Sequence, residues 1–152
     1  MNAFEMKFMK LMSRICIPLV RFSFFVVYFY FGLLKVLGLS PAETIVRELW
    51  MQTLPFIHFK DFLNFFGVYE MVIGIVFLIP GKERIALYLL IPHMITTFGP
   101  LVFLPQFTWK AFMVPSLAGH YIIKNVILIA LGIAVAANIG DFKTKVAVRK
   151  VE

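Results

Sequence analysis

Four apolar runs, 15–37, 62–80, 85–104 and 116–137, constrain this chain more than any other feature. A hydrocarbon core about 30 Å thick is crossed by about 20 apolar residues of helix. Inside it every backbone N–H and C=O must find its partner within the protein, which a helix achieves alone. The expected fold is therefore all-α, an integral membrane four-helix bundle. Composition agrees, with 61% of the 152 residues hydrophobic and a mean hydropathy of +0.90. The length leaves no room for a separate soluble catalytic domain.

The net charge of +7 sits mostly at the ends of the apolar runs, where lysine and arginine meet lipid headgroups, so the charge implies membrane lipids and no nucleic acid. The amino-terminal arm carries Lys7, Lys10 and Arg14, the turn after the second run Lys82 and Arg84, and the tail Lys143, Lys145, Arg149 and Lys150. The opposite side has Arg47, Lys60 and Lys110. This asymmetry predicts a multi-pass protein of the inner or plasma membrane with both termini cytoplasmic. The expected divisions are a basic arm (1–14), a transmembrane domain (15–138) and a basic tail (139–152). Phe4, Phe8 and Leu11 recur at helical spacing opposite the basic residues, so the arm reads either as an amphipathic surface helix or as a frayed basic segment.

Arg21 and the length of the first run argue for a retained helix rather than a cleaved signal. Cys16 is the only cysteine, so neither an internal disulfide nor a CxxC redox pair can form. In the outer loop, Ser40-Pro41-Ala42-Glu43 has the order of a helix start and predicts a short outer helix through Trp50. Pro92 and Pro100 predict a kinked third span. Residues 103–115 read as irregular, with Trp109 at the outer interface.

Ionisable residues inside these runs are costly in lipid and mark sites by default. Glu70 is the clearest, a carboxylate in the second run with Gly67 and Gly74 on its own helical face. Arg21, Tyr28, Gly32 and Lys35 share a stripe on the first span, His93, Thr96 and Pro100 on the third, and His120, Lys124 and Leu128 on the fourth. Counting about 1.5 Å per residue puts Glu70 and Lys124 at one depth, roughly 12 Å below the outer surface. They are the expected ion pair, with Lys35 and His120 nearer that surface and Arg21 in the inner half. Gly32, Gly67 and Gly74 are expected to let backbones approach around the site. Lys35 and Arg21 also read as snorkelling to headgroups, and Glu70 with Lys124 as a pair that only sets helix register. Excess positive charge beside such a pair favours an anion, a lipid phosphate or a quinone oxygen. No metal site is expected, because His93 and His120 differ in depth by roughly 13 Å. His93 reads as a packing group.

Val20-Arg21-Phe22-Ser23 with Phe31-Gly32-Leu33-Leu34-Lys35, Phe66-Gly67-Val68-Tyr69-Glu70 with Gly74, and Ala118-Gly119-His120-Tyr121-Ile122-Ile123-Lys124-Asn125 together resemble the helix motifs of DoxX-like membrane proteins. They are most similar to the YkgB-like branch linked to reactive-chlorine resistance. The resemblance covers nearly the whole bundle. Where that pattern has a basic residue and an aspartate, this chain has His120 and Asn125, which removes a second acid beside Lys124. The resemblance implies a site that includes Asn125 and a part in redox or oxidative-stress homeostasis.

The leading expectation is a membrane protein that binds a quinone or phospholipid at Glu70, Lys124 and Lys35, or serves as a subunit of a membrane redox complex without being an autonomous enzyme. An assembly factor for a client membrane protein and a small proton-coupled transporter, which would require chains to associate as an oligomer, are the two other readings.

Overall fold

The computed structural model describes residues 2–148, with side chains described for residue 2 and residues 4–137. The expected tail (139–152), with Lys143, Lys145, Arg149 and Lys150, lies outside the described side chains. Four helices have the length and apolarity of membrane spans: α1 (Ala3–Val36), α3 (Phe59–Leu78), α4 (Glu83–Phe103) and α6 (Leu117–Val148). At most 33% of any span's apolar window is buried inside the protein. The remaining faces are mostly Phe, Ile, Leu and Val, surfaces that water would penalise and acyl chains would cover. This is the architecture of a multi-pass membrane helical bundle.

Between α1 and α3 lies α2 (Glu43–Thr53), and between α4 and α6 lie α5 (Pro105–Thr108) and a small antiparallel hairpin of β1 (Trp109–Ala111) and β2 (Val114–Pro115). Alternation of the spans puts both connections on one side, called here the α2 side, and the start of α1 and the end of α6 on the other, the terminus side.

No helix boundary falls at residue 14, where the arm was expected to end: α1 begins at Ala3 and runs unbroken past Pro18. Its start is set by a capping box. The Asn2 side chain accepts from the Glu5 backbone N–H at 2.8 Å, and the Glu5 carboxylate accepts from the Asn2 N–H at 3.0 Å. At 34 residues, α1 is about 51 Å long, well beyond the hydrocarbon thickness. The α2 helix starts at Glu43 rather than just after Ser40, because Ser40 closes a turn instead, its hydroxyl accepting from Ala42 N–H at 3.3 Å.

Residues 103–115 are more ordered than their sequence suggests. Thr108 Oγ1 bonds the carbonyl of Leu104 at 3.0 Å, Trp109 Nε1 donates to Leu101 at 3.0 Å, and Ser116 Oγ donates to Phe107 at 2.6 Å. These side chains satisfy carbonyls left over at the end of α4 and in α5.

The closest pairing is α1 with α3, and α4 packs on both α3 and α6. Glycine explains the first. A Cβ on Gly67 would come within 2.7 Å of the Gly32 carbonyl oxygen, and one on Gly74 within 2.9 Å of the Phe29 backbone nitrogen. Only hydrogen fits at these crossings, so the two backbones touch, as expected for the three glycines. The core is formed by Phe24 and Tyr28 of α1, Ile73 and Phe77 of α3, and Ala86, Leu90 and Met94 of α4.

Candidate functional site

At the α2-side end of that core, the close approach of α1 and α3 brings together Lys35, Glu70 and His93. The Lys35 ammonium donates to Glu70 Oε2 at 2.6 Å, and His93 Nε2 meets Glu70 Oε1 at 2.9 Å. Lys35 is 6% exposed and Glu70 and His93 are each 5% exposed. Both carboxylate oxygens are thus engaged, which is the condition for keeping a charge out of water.

Side-chain direction explains the arrangement. Cα–Cβ bonds tilt toward the N-terminus of their helix. On α1, which rises toward the α2 side, Lys35 therefore points back into the membrane. On α3, which descends, Glu70 points up to meet it.

The surroundings are aromatic. The His93 ring stacks on Phe66 at 5.1 Å and 13°, and the Tyr28 ring meets it edge-on at 5.1 Å. Lys35 Nζ also lies 5.6 Å from the Phe66 ring centre, a favourable cation–π distance. The other nitrogen, His93 Nδ1, is 3.3 Å from Thr97 Oγ1, which also bonds the His93 carbonyl at 2.9 Å. Thr97 has one hydrogen to give. When it serves the carbonyl, its lone pairs face Nδ1 and suit an N–H there; when it turns to Nδ1, its hydrogen is donated to a bare ring nitrogen. Tyr28 is 3% exposed, and its hydroxyl has no hydrogen-bond partner among the described residues.

Above the triad a cleft of about 430 Å³ opens to the α2 side, with Lys35 in its lining beside Val36, Leu63, Phe59, Arg47 and Lys60. Glu43 holds Arg47 at 2.8 Å, and Arg47 packs on the Phe59 ring at 3.9 Å. Half of the lining is charged or polar, Lys35, Glu43, Arg47, Lys60 and Asn64, and the apolar half includes Val36, Phe59 and Leu63.

Arg21 forms a second ion pair with Glu83, at the start of α4 on the terminus side. Glu83 also accepts from the Gly81 N–H at 2.9 Å. This pair closes the turn between α3 and α4 against α1. Between it and the triad lie Phe24, Ile73, Phe77, Ala86 and Leu90, none more than 2% exposed. The Phe24 and Phe77 rings are stacked at 3.9 Å.

The expected ion pair of Glu70 with Lys124 does not form. On α6, which packs on α4 and to a lesser extent on α1, the face carrying Lys124 turns outward, so a matching depth does not bring its ammonium to Glu70. Lys124 is exposed, and its ammonium lies 5.6 Å from the Tyr121 ring centre. His120 is exposed and Asn125 half-buried, its amide donating to the Tyr121 and Ile122 carbonyls. Of the residues singled out from the sequence, Glu70, Lys35 and Tyr28 come together, with Gly32 and Gly67 at the helix crossing beside them. Arg21, His120, Lys124 and Asn125 stand apart. His93 and Glu83 were missed as partners; Thr97 one turn after His93, and Glu83 between two basic residues, were the available signals. No family model, curated protein or solved structure matches the chain, so its function has to be argued from the geometry around Glu70.

Proposed function

We propose that this is an inner-membrane protein of the DoxX-like kind that binds a quinone-like head group in the cleft beside Lys35, in support of a membrane redox or oxidative-stress system. The single observation that carries the reading is Glu70 shared between Lys35 and His93 under an open cleft. Lys35 spends one of its three N–H bonds on Glu70 and can donate another to a carbonyl oxygen seated above it. Glu70 holds the Lys35 ammonium in place and is itself held by His93, whose other ring nitrogen lies beside Thr97. The apolar tail would lie along Val36, Leu63 and the lipid. Lys7, Lys10, Arg14, Lys82 and Arg84 on the terminus side favour a cytoplasmic placement of that side, with the cleft outward.

The apolar layer around Phe24 and Phe77 favours access from one side only, and a proton-coupled carrier would need that layer to part. A role in assembling other membrane proteins is the second reading, favoured by the two ion pairs that tie α1 to α3 and α4. Mass spectrometry of protein purified with its native lipids is expected to find bound quinone, and a short-chain benzoquinone is expected to bind the protein in nanodiscs. Finding neither, with one abundant polypeptide captured by crosslinking in native membranes, would favour the assembly role.

A further inference from the structure

The polar stripe of α6 turns outward into the region that lipid occupies. His120, Tyr121 and Lys124 are exposed, and Tyr121 is 61% exposed. Lys124 has no hydrogen bond or carboxylate partner among the described residues, and its ammonium sits 5.6 Å from the Tyr121 ring. The His120 and Tyr121 rings are 6.2 Å apart and 26° from parallel. All three groups gather toward the α2-side end of the helix. Lys124 lies seven residues from the first residue of α6, about 10 Å of rise, and its four-carbon stem leans back along that distance.

We infer that His120, Tyr121 and Lys124 bind the phosphate of an anionic glycerophospholipid in the α2-side leaflet. A lysine on a lipid-facing surface needs an anion, and the deep carboxylates of the described spans, Glu70 and Glu83, are already engaged by Lys35, His93 and Arg21. A second copy of the chain therefore brings no unengaged buried acid to this stripe, and contact with the exposed Asp61 at the start of α3 would show as crosslinking to a polypeptide. Lys124 supplies the charge, a His120 ring nitrogen supplies an N–H in either tautomer, and Tyr121 sits as an amphipathic ring at headgroup depth. No residue of α6 lines the cleft beside Lys35, so this site stands independently of the proposed quinone site.

The test is native mass spectrometry of the full chain with phosphatidylglycerol and phosphatidylcholine of identical acyl chains. The wild type is expected to retain phosphatidylglycerol about fivefold better. Lys124→Ala should abolish the preference and Lys124→Arg should keep it, both folding normally because the position is exposed. A photoreactive residue at Ile127, on the same face, should crosslink to phospholipid. Equal retention of the two lipids by the wild type, a preference that survives Lys124→Ala, or crosslinking to a polypeptide would each overturn the assignment.

Discussion

Glu70 holds two partners with two oxygens, so each of its neighbours depends on it. Removing one member of a buried pair strands the other in low dielectric and costs about 3 kcal/mol or more. Glu70→Gln and Lys35→Met should each lower unfolding free energy in detergent by about that amount, whereas the double variant should recover most of the loss, since both charges are then gone. A double-variant cost equal to the sum of the single costs would show that the two groups do not interact. Glu70 was legible in the sequence because a carboxylate in an apolar run has few structural excuses. Its partner was not, because counting residues gives the depth of Cα atoms, while a long side chain displaces its charge along the helix axis. That displacement has opposite sign on rising and descending helices. It brings Lys35 on rising α1 to Glu70 on descending α3, whereas Lys124 on descending α6 shares the sign of Glu70 and is kept from it by facing outward.

The site exists because two helices touch without side chains between them. Gly67→Ala would place a methyl carbon about 2.7 Å from the Gly32 carbonyl, forcing α1 off α3 and drawing Lys35 away from Glu70. Overpacking of this kind costs about 1–3 kcal/mol, so thermal unfolding of Gly67→Ala should fall clearly below wild type. Gly38→Ala is no neutral control, because Gly38 has a positive φ of 70°, which favours glycine whatever the space around it. The long spans were legible from apolar run length alone. The start of α1 was available in Asn2-Ala3-Phe4-Glu5, whose spacing is that of a capping box. The short α5 and hairpin were not legible, because Thr108, Trp109 and Ser116 order them through side-chain bonds to backbone carbonyls that no periodicity announces.

Over the whole molecule, two charged layers are separated by an apolar one. The triad opens toward the α2 side, and Arg21 with Glu83 closes the terminus side. Cys16, the free and exposed thiol of α1, provides a natural reporter for the terminus side. In sealed vesicles, a membrane-impermeant maleimide should reach Cys16 from one face. In a Cys16→Ser background, Asn64→Cys, in the lining of the cleft, should be labelled from the opposite face only. Labelling of both positions from one face would contradict the topology.

The central claim is that the cleft beside Lys35, with Glu70 and His93 behind it, takes a ligand, and that Lys124 has no part in it. The direct measurement is binding of a short-chain benzoquinone to the protein in nanodiscs, compared among wild type, Lys35→Met, Glu70→Gln and Lys124→Met. Loss of about tenfold in affinity, close to the worth of one charge-assisted hydrogen bond, is expected in the first two variants, with Lys124→Met binding as wild type does. Loss in Lys124→Met together with normal binding in Lys35→Met would contradict the claim and return the site to α6.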